Sequence, residues 1–193
     1  MCLIIFAHRS APGYPLLVAA NRDEFHSRRT AASGFWREQP DLLAGRDLEQ
    51  GGTWMGVTRS GRFAAVTNYR DPSRTAPAPR SRGELTVNYL TSSLSPPDYL
   101  EQVAALAGEY AGFNLLVGDQ AGLWYFSNSC PGPQELKPGI YGLSNARLDT
   151  GWPKVEAGKK SLADALRKEV SHDPLATAVS DRRIAALDDL QRH

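Results

Sequence analysis

The 193 residues carry 22 basic and 21 acidic side chains, a formal net charge of +1, with 41% hydrophobic and 22% charged residues. That composition suits an ordinary globular chain with one sizeable core, and a single domain over residues 1–193 is expected. The balanced charge, with no basic stripe to neutralise phosphates, argues against a nucleic-acid partner.

The chain opens on Cys2 to Ala7, an apolar run far shorter than the roughly 20 residues that span a bilayer. No basic segment precedes it as in a secretory signal, so a cytoplasmic protein without a membrane span is expected. A second apolar run, Leu16 to Ala20, follows Pro12-Gly13, and the pair predicts a hairpin of strands 2–7 and 14–20 in a sheet that packs on another sheet. Continuous runs of this kind suit strands buried on both faces. Residues 21–50 are polar and Arg-rich and predict a long loop, with one short strand at Leu42 to Ala44. Thr53 to Thr58 and Arg62 to Thr67 flank Arg59-Ser60-Gly61, a hairpin whose tip has a glycine able to take positive φ.

Pro72 to Pro79 reads as an exposed connection into a helical block. Ser81 and Glu84 have capping-box spacing, and Leu85, Tyr89, Leu90 and Leu94 recur at helical intervals. A second helix is expected from near Pro97 to a stop at Gly108. Strands are expected at Phe113 to Val117, Leu123 to Phe126 and Ile140 to Leu143, then a helix from Pro153 to Val170. Strands, helices, strands and a helix in that order favour a layered α+β architecture over alternating βαβ units.

Cys2 is the first residue with chemistry to offer. A small side chain at position two permits removal of the initiator methionine, which leaves a free α-amine beside the thiol. A free α-amine ordinarily titrates near pH ~8 and a free thiol near ~8.5, so one such residue can supply both nucleophile and base. On position alone, Cys2 reads equally as a small hydrophobe opening a buried strand. Asn21-Arg22-Asp23-Glu24 changes that reading, because hairpin pairing returns these polar residues to the level of Cys2. A carboxylate there can hold the new ammonium, and Arg22 can lower the thiol pKa or hold a substrate carboxylate. Cys130 lies in a turn, Ser129-Cys130-Pro131-Gly132, without an evident base. The two cysteines form no disulfide framework and both are expected as thiols.

The remaining features are weaker. His8, His26, His172 and His193 show no metal-ligand spacing, and no metal or cofactor is expected. His8 and His26 flank the hairpin, where solvated positions are expected. Trp36, Trp54, Trp124 and Trp152 are expected to pack the core or its rims, with Trp54, after Gly51-Gly52, the one placed to line a substrate pocket. Arg22, Arg28, Arg29, Arg46, Arg70 and Arg74 make an anion site only if folding gathers them; a scattered surface set is the simpler expectation.

Eight segments carry a family resemblance: Met1-Cys2-Leu3-Ile4, Ala20-Asn21-Arg22-Asp23-Glu24-Phe25, Gly51-Gly52-Thr53-Trp54-Met55-Gly56, Thr67-Asn68-Tyr69-Arg70, Ser81-Arg82-Gly83-Glu84-Leu85, Phe113-Asn114-Leu115-Leu116-Val117-Gly118-Asp119, Tyr141-Gly142-Leu143-Ser144-Asn145-Ala146 and Trp152-Pro153-Lys154-Val155. They resemble, in family order, the NRDE family, also called the transport and Golgi organisation family. The resemblance implies an α+β fold, a four-layer αββα sandwich of the N-terminal-nucleophile hydrolase kind, distantly similar to choloylglycine hydrolases and penicillin V acylases. By that likeness Cys2 is the nucleophile, Asp23 the carboxylate that holds its amine, and Asn68 and Asn145 the two asparagines, suited by their amide N–H groups to a developing oxyanion. Asn21, Arg22, Trp54 and Arg70 are the candidate substrate contacts taken from the residues themselves. The hydrolases space their Arg and Asp three apart, whereas here Ala20 stands three before Asp23, so that arginine role does not carry over. Family members continue with a late Arg and closing strands not found before His193, so the C-terminus is expected to be short. The implied activity is amide hydrolysis on a small molecule. The alternative implied by the family is a carrier that binds haem or a lipid or acyl-CoA ligand without turnover.

Overall fold

The computed structural model describes residues 2–24, 27–70, 78–167 and 171–180. In chain order the first half contains β1 (Leu3–Ala11), β2 (Tyr14–Asn21), β3 (Thr30–Trp36), β4 (Gln39–Asp47), β5 (Met55–Thr58), β6 (Phe63–Asn68) and the helices α1 (Arg82–Thr91) and α2 (Pro96–Ala105). A 3-10 turn, Ala107–Glu109, leads into β7 (Phe113–Gly118), β8 (Leu123–Ser127), β9 (Gln134–Glu135), β10 (Gly139–Leu143), α3 (Pro153–Leu166) and α4 (His172–Thr177). These elements fall into two compact units: Met1–Asp23 with Lys137–His193, and the intervening Glu24–Leu136.

The first unit is a three-stranded antiparallel sheet in the order β10-β1-β2. The predicted hairpin is present, with Leu3 opposite Asn21 and Phe6 opposite Val18. β1 is central and buried from Leu3 through His8. β2 departs from the expectation of burial on both faces: only Leu17 and Ala19 are buried, because β2 is the edge of its sheet. His8 also departs from the solvated position expected for it; paired with Leu16 on one side and Gly139 on the other, it is buried. His26 and His193 lie outside the described residues, and His172 is exposed beside Asp173. α3 lies across β1 and β10 and buries Val155 and Leu162 with Leu3, Ile5, Ala7, Leu17 and Ala19. Gly158 permits the close approach, since a Cβ there would stand 2.7 Å from Ile5 Cγ1. α3 spans Pro153–Leu166; residues 168–170, where the expected helix would end, lie outside the described residues, and α4, unanticipated, follows.

The second unit is a seven-stranded antiparallel meander, β3 through β9 in sequence order, with α1 and α2 inserted between β6 and β7. Its core joins Leu42, Ala44, Ala64 and Val66 to Leu85, Tyr89, Leu100, Phe113, Leu115 and Phe126. The loop predicted for residues 21–50 is instead largely the β3–β4 hairpin. β3 buries only Trp36, and β4 only Leu42 and Ala44, so the pair lacks the alternating apolar pattern that marks a strand in sequence. Gly61 takes φ +84 at the β5–β6 tip, as the turn requires. Ser81 does stand at the N-cap of α1, but the capping box does not form: Glu84 instead accepts from Arg80 Nε and Tyr110 Oη. Ser95 caps α2, accepting from the Asp98 backbone N–H. The connection 71–77 lies outside the described residues.

Tyr99 ties α2 to α1 by donating its hydroxyl to the Leu85 carbonyl at 2.6 Å, both groups buried. Tyr99→Phe is expected to lower stability by about 1 kcal/mol, the net worth of one such bond, read as a shift in the urea midpoint with an unchanged slope.

Candidate functional site

The site is built at the open end of β1. The register pairs Leu3 with Asn21 on one side and Ile4 with Leu143 on the other. Cys2 directly precedes Leu3, Arg22 directly follows Asn21, and Asn145 comes two residues after Leu143. β1, buried from Leu3 through His8, is preceded by the half-buried Cys2, and Asn145 is buried. Asp23 follows Arg22 and is exposed, as is Asn21.

Two side chains converge on the backbone of Cys2. Ser144, 2% exposed, donates its hydroxyl to the Cys2 carbonyl at 2.7 Å. Lys154 Nζ reaches the same oxygen at 3.5 Å and stands 5.6 Å from the centre of the Trp152 ring. Burial holds the Lys154 ammonium below the usual lysine range, while the charges of Asp23 and Cys2 act in the opposite direction.

The local chain explains why these groups meet. After β10 the backbone folds back on itself, with Asp149 at φ 55, a conformation Asp tolerates better than most residues. Its carboxylate accepts from the Gly142 backbone N–H at 2.8 Å and from Lys159 Nζ at 2.9 Å. That turn leads through Trp152 into α3, which starts at Pro153, so Lys154 occupies the second helical position. Because α3 packs closely on β1, its first turn brings Lys154 to the start of that strand.

Of the residues singled out in the sequence, Cys2, Asn21, Arg22, Asp23 and Asn145 belong to the first unit. Asn68, Trp54 and Arg70 belong to the second. There Asn68 ends β6 opposite Phe113, next to a buried chain in which Tyr125 Oη donates to Asn114 Oδ1 and Asn114 Nδ2 donates to Thr67 Oγ1. Trp54 packs partly against the core, and Arg70 is exposed. Of the other arginines, Arg28 is paired with Asp47, and Arg46 is paired with Glu38 and lies 4.3 Å from the Trp36 ring centre. Arg74 lies outside the described residues.

Ser144 and Lys154 carried no assigned role in the sequence reading. The available signal was a lysine directly after the helix-starting Pro153, where a cation opposes the helix dipole. Among the described residues there is no group of three or more His, Cys, Asp or Glu side chains that could hold a metal ion. Among them too, no helix is long and apolar enough to cross a membrane.

Comparison with known proteins gives this geometry its context. The profile of the family described as Transport and Golgi organisation 2 matches residues 1–191. The Transport and Golgi organization 2 homolog of Mus musculus is 37% identical over 94% of this chain and 71% of that protein. The Bos taurus homolog is 40% identical over 91% of this chain and 68% of its own length. The Drosophila melanogaster protein of the same name is 30% identical, with 64% of its length covered. Among solved structures, the Caenorhabditis elegans N-acylethanolamine-hydrolyzing acid amidase ortholog superposes with a TM-score of 0.63 at 9% identity, over 94% of this chain and 86% of that one. The likeness is one of fold, and the fold is the α+β fold of N-terminal-nucleophile hydrolase type. With the family profile spanning nearly the whole chain and the animal homologs agreeing, the chain belongs to the Transport and Golgi organisation 2 family.

Proposed function

We propose that the chain carries an N-terminal-cysteine amide hydrolase site, with Cys2 as nucleophile once Met1 is removed. What supports this reading is the start of β1, where Cys2 precedes the buried Leu3, itself paired with Asn21 beside Arg22 and Asp23, and where Ser144, next to Asn145, donates to the Cys2 carbonyl. The Cys2 thiol gives its proton to its own α-amine as sulfur adds to the substrate carbonyl carbon. The Asn145 amide donates to the oxyanion that forms, and Asp23 holds the α-ammonium. The ammonium then protonates the departing amine as the C–N bond breaks, leaving a thioester on Cys2. Water, losing its proton to the α-amine, attacks the thioester and releases the acid and the free thiol. The worm structural neighbour is described as hydrolysing N-acylethanolamines, which makes acyl amides the first substrate class to try.

The test begins with protein whose intact mass shows Met1 to be absent. Exposed to an activated acyl donor and quenched in acid, it should carry the acyl mass on the Cys2 peptide. Iodoacetamide near neutral pH should likewise label Cys2 several-fold faster than Cys130, whose turn is built by its own N–H bonding to Ser127. Preferential modification of Cys130, or the lack of any acyl adduct at Cys2, would overturn the reading.

A further inference from the structure

Lys154 is an awkward residue to keep where it stands. It occupies the first turn of α3, where a cation opposes the helix dipole, and it is half-buried, with its ammonium held below the usual lysine range by desolvation. Each term costs stability for as long as the lysine is charged. Local rules broken in this way mark positions retained for something other than stability. What Lys154 reaches is the carbonyl of Cys2, the oxygen that also accepts from Ser144.

We infer that Ser144 and Lys154 are positioning residues that clamp the carbonyl of Cys2, fixing the peptide plane of residue 2, and that the Lys154 cation keeps the adjacent α-amine in its neutral, proton-accepting form. The inference rests on the proposed hydrolase reading for its purpose. Its geometry is independent of that reading. With its carbonyl held by Ser144 at 2.7 Å and by Lys154 at 3.5 Å, the peptide plane that carries the Cys2 Cα is fixed, and rotation about the Cα–C bond alone remains to aim the thiol and the amine when substrate arrives. The nitrogen of Cys2 becomes the α-amine on removal of Met1. It lies within about 7 Å of Lys154 Nζ, because a residue's own nitrogen and oxygen are at most ~3.6 Å apart and the lysine is 3.5 Å from that oxygen. At that range a unit charge disfavours a neighbouring ammonium by about 0.5 to 1.5 pH units. The other charged groups around residue 2 are Arg22 and Asp23, from the segment after β2, and the Cys2 thiol itself; Ser144 and Asn145, after β10, are neutral. Arg22 acts in the same sense as Lys154, and the Asp23 carboxylate opposes them.

The experiment needs no hydrolase substrate. An N-terminal cysteine condenses with an aldehyde, amine and thiol together closing a thiazolidine with loss of one water, and the reaction requires the amine in its neutral form. Full-length protein with Met1 shown to be absent by mass is treated with glyoxylate across pH. In Lys154→Met the inflection set by the amine should move up by about 0.5 to 1.5 units, and Lys154→Arg should return it towards the parent value. Ser144→Ala should leave the inflection in place and slow the plateau rate several-fold. Lys154→Met should melt at the same temperature as the parent or higher, since it removes a poorly solvated cation from a helix start. An unmoved inflection in Lys154→Met, a shift that arginine does not reverse, or a marked loss of melting temperature in Lys154→Met would each overturn the inference. A Lys154-dependent inflection without amide turnover upholds the clamp and removes the hydrolase reading; turnover with no Lys154 dependence removes the clamp alone.

Discussion

Cys2→Ala is expected to reduce amide turnover to background, a fall on the order of 10⁴-fold or more, with the melting temperature within about a degree of the parent. The size follows from chemistry. Without the thiol there is no acyl-enzyme and no second, easier step, whereas the hydroxyl of Ser144 is already committed to the Cys2 carbonyl. Stability should barely respond, because Cys2 is only half-buried and precedes the first paired residue of β1. Retaining a residue ahead of Cys2 should be as damaging as removing the thiol, since it converts the basic amine into a peptide nitrogen. Parallel kinetics of processed protein, Cys2→Ala and an N-terminally blocked form check this. A ligand carrier would give background turnover in all three and unchanged ligand retention in Cys2→Ala, which would end the enzyme reading.

The largest structural effect is expected at Gly52. Gly52 packs backbone to backbone against Gly83 in α1, and a Cβ on it would stand 2.6 Å from the Gly83 carbonyl carbon and 2.9 Å from its Cα. Neither atom can move aside as the end of a long side chain can. The strand connection and the helix are also tied there: Thr53 donates its N–H to the Gly83 carbonyl at 3.2 Å, and the buried Thr86 hydroxyl donates to the Thr53 carbonyl. Gly52→Ala must separate them, and about 3 kcal/mol of destabilisation is expected, or roughly 6 to 12 °C in melting temperature for a chain of this size. Gly34→Ala, where nothing lies within 4 Å of the new methyl, is the matched control and should be neutral or slightly stabilising. Equal melting temperatures for the two variants would show that the Gly52 contact is not tight.

The same contact shows how far sequence alone reaches. The Gly51-Gly52-Thr53-Trp54 and Ser81-Arg82-Gly83-Glu84 segments were both conspicuous, but their meeting depends on a helix docking some thirty residues away, which no local pattern encodes. The β1–β2 hairpin was legible because two apolar runs flank Pro12-Gly13, and antiparallel pairing across so short a turn returns Asn21 to Leu3 by local geometry. Asn145 was available only through family resemblance, since bringing the segment after β10 to the start of β1 depends on strands pairing across most of the chain. Lys154 depends in turn on how closely α3 approaches Ile5, a matter of one missing side chain at Gly158. The β3–β4 hairpin stayed hidden for the opposite reason. Only Leu42, Ala44 and Trp36 of that pair reach the core, and the predicted strand at 42–44 is the part of β4 with a hydrophobic signal.

One compact unit interrupts the other, and that arrangement sets an order of assembly. Before β10 can pair with β1, the unfolded stretch between them must close as a loop of roughly a hundred residues, an entropic cost on the order of 4 kcal/mol. Once the Glu24–Leu136 unit has folded, its ends are held at a fixed separation and most of that cost has already been met. The intervening unit, with its sequential meander and local helices, is therefore expected to form first, and β1, β2 and β10 to gain hydrogen-exchange protection after it. Throughout that interval the N-terminal segment stays open to solvent and to methionine removal, and the clamp on Cys2 closes last.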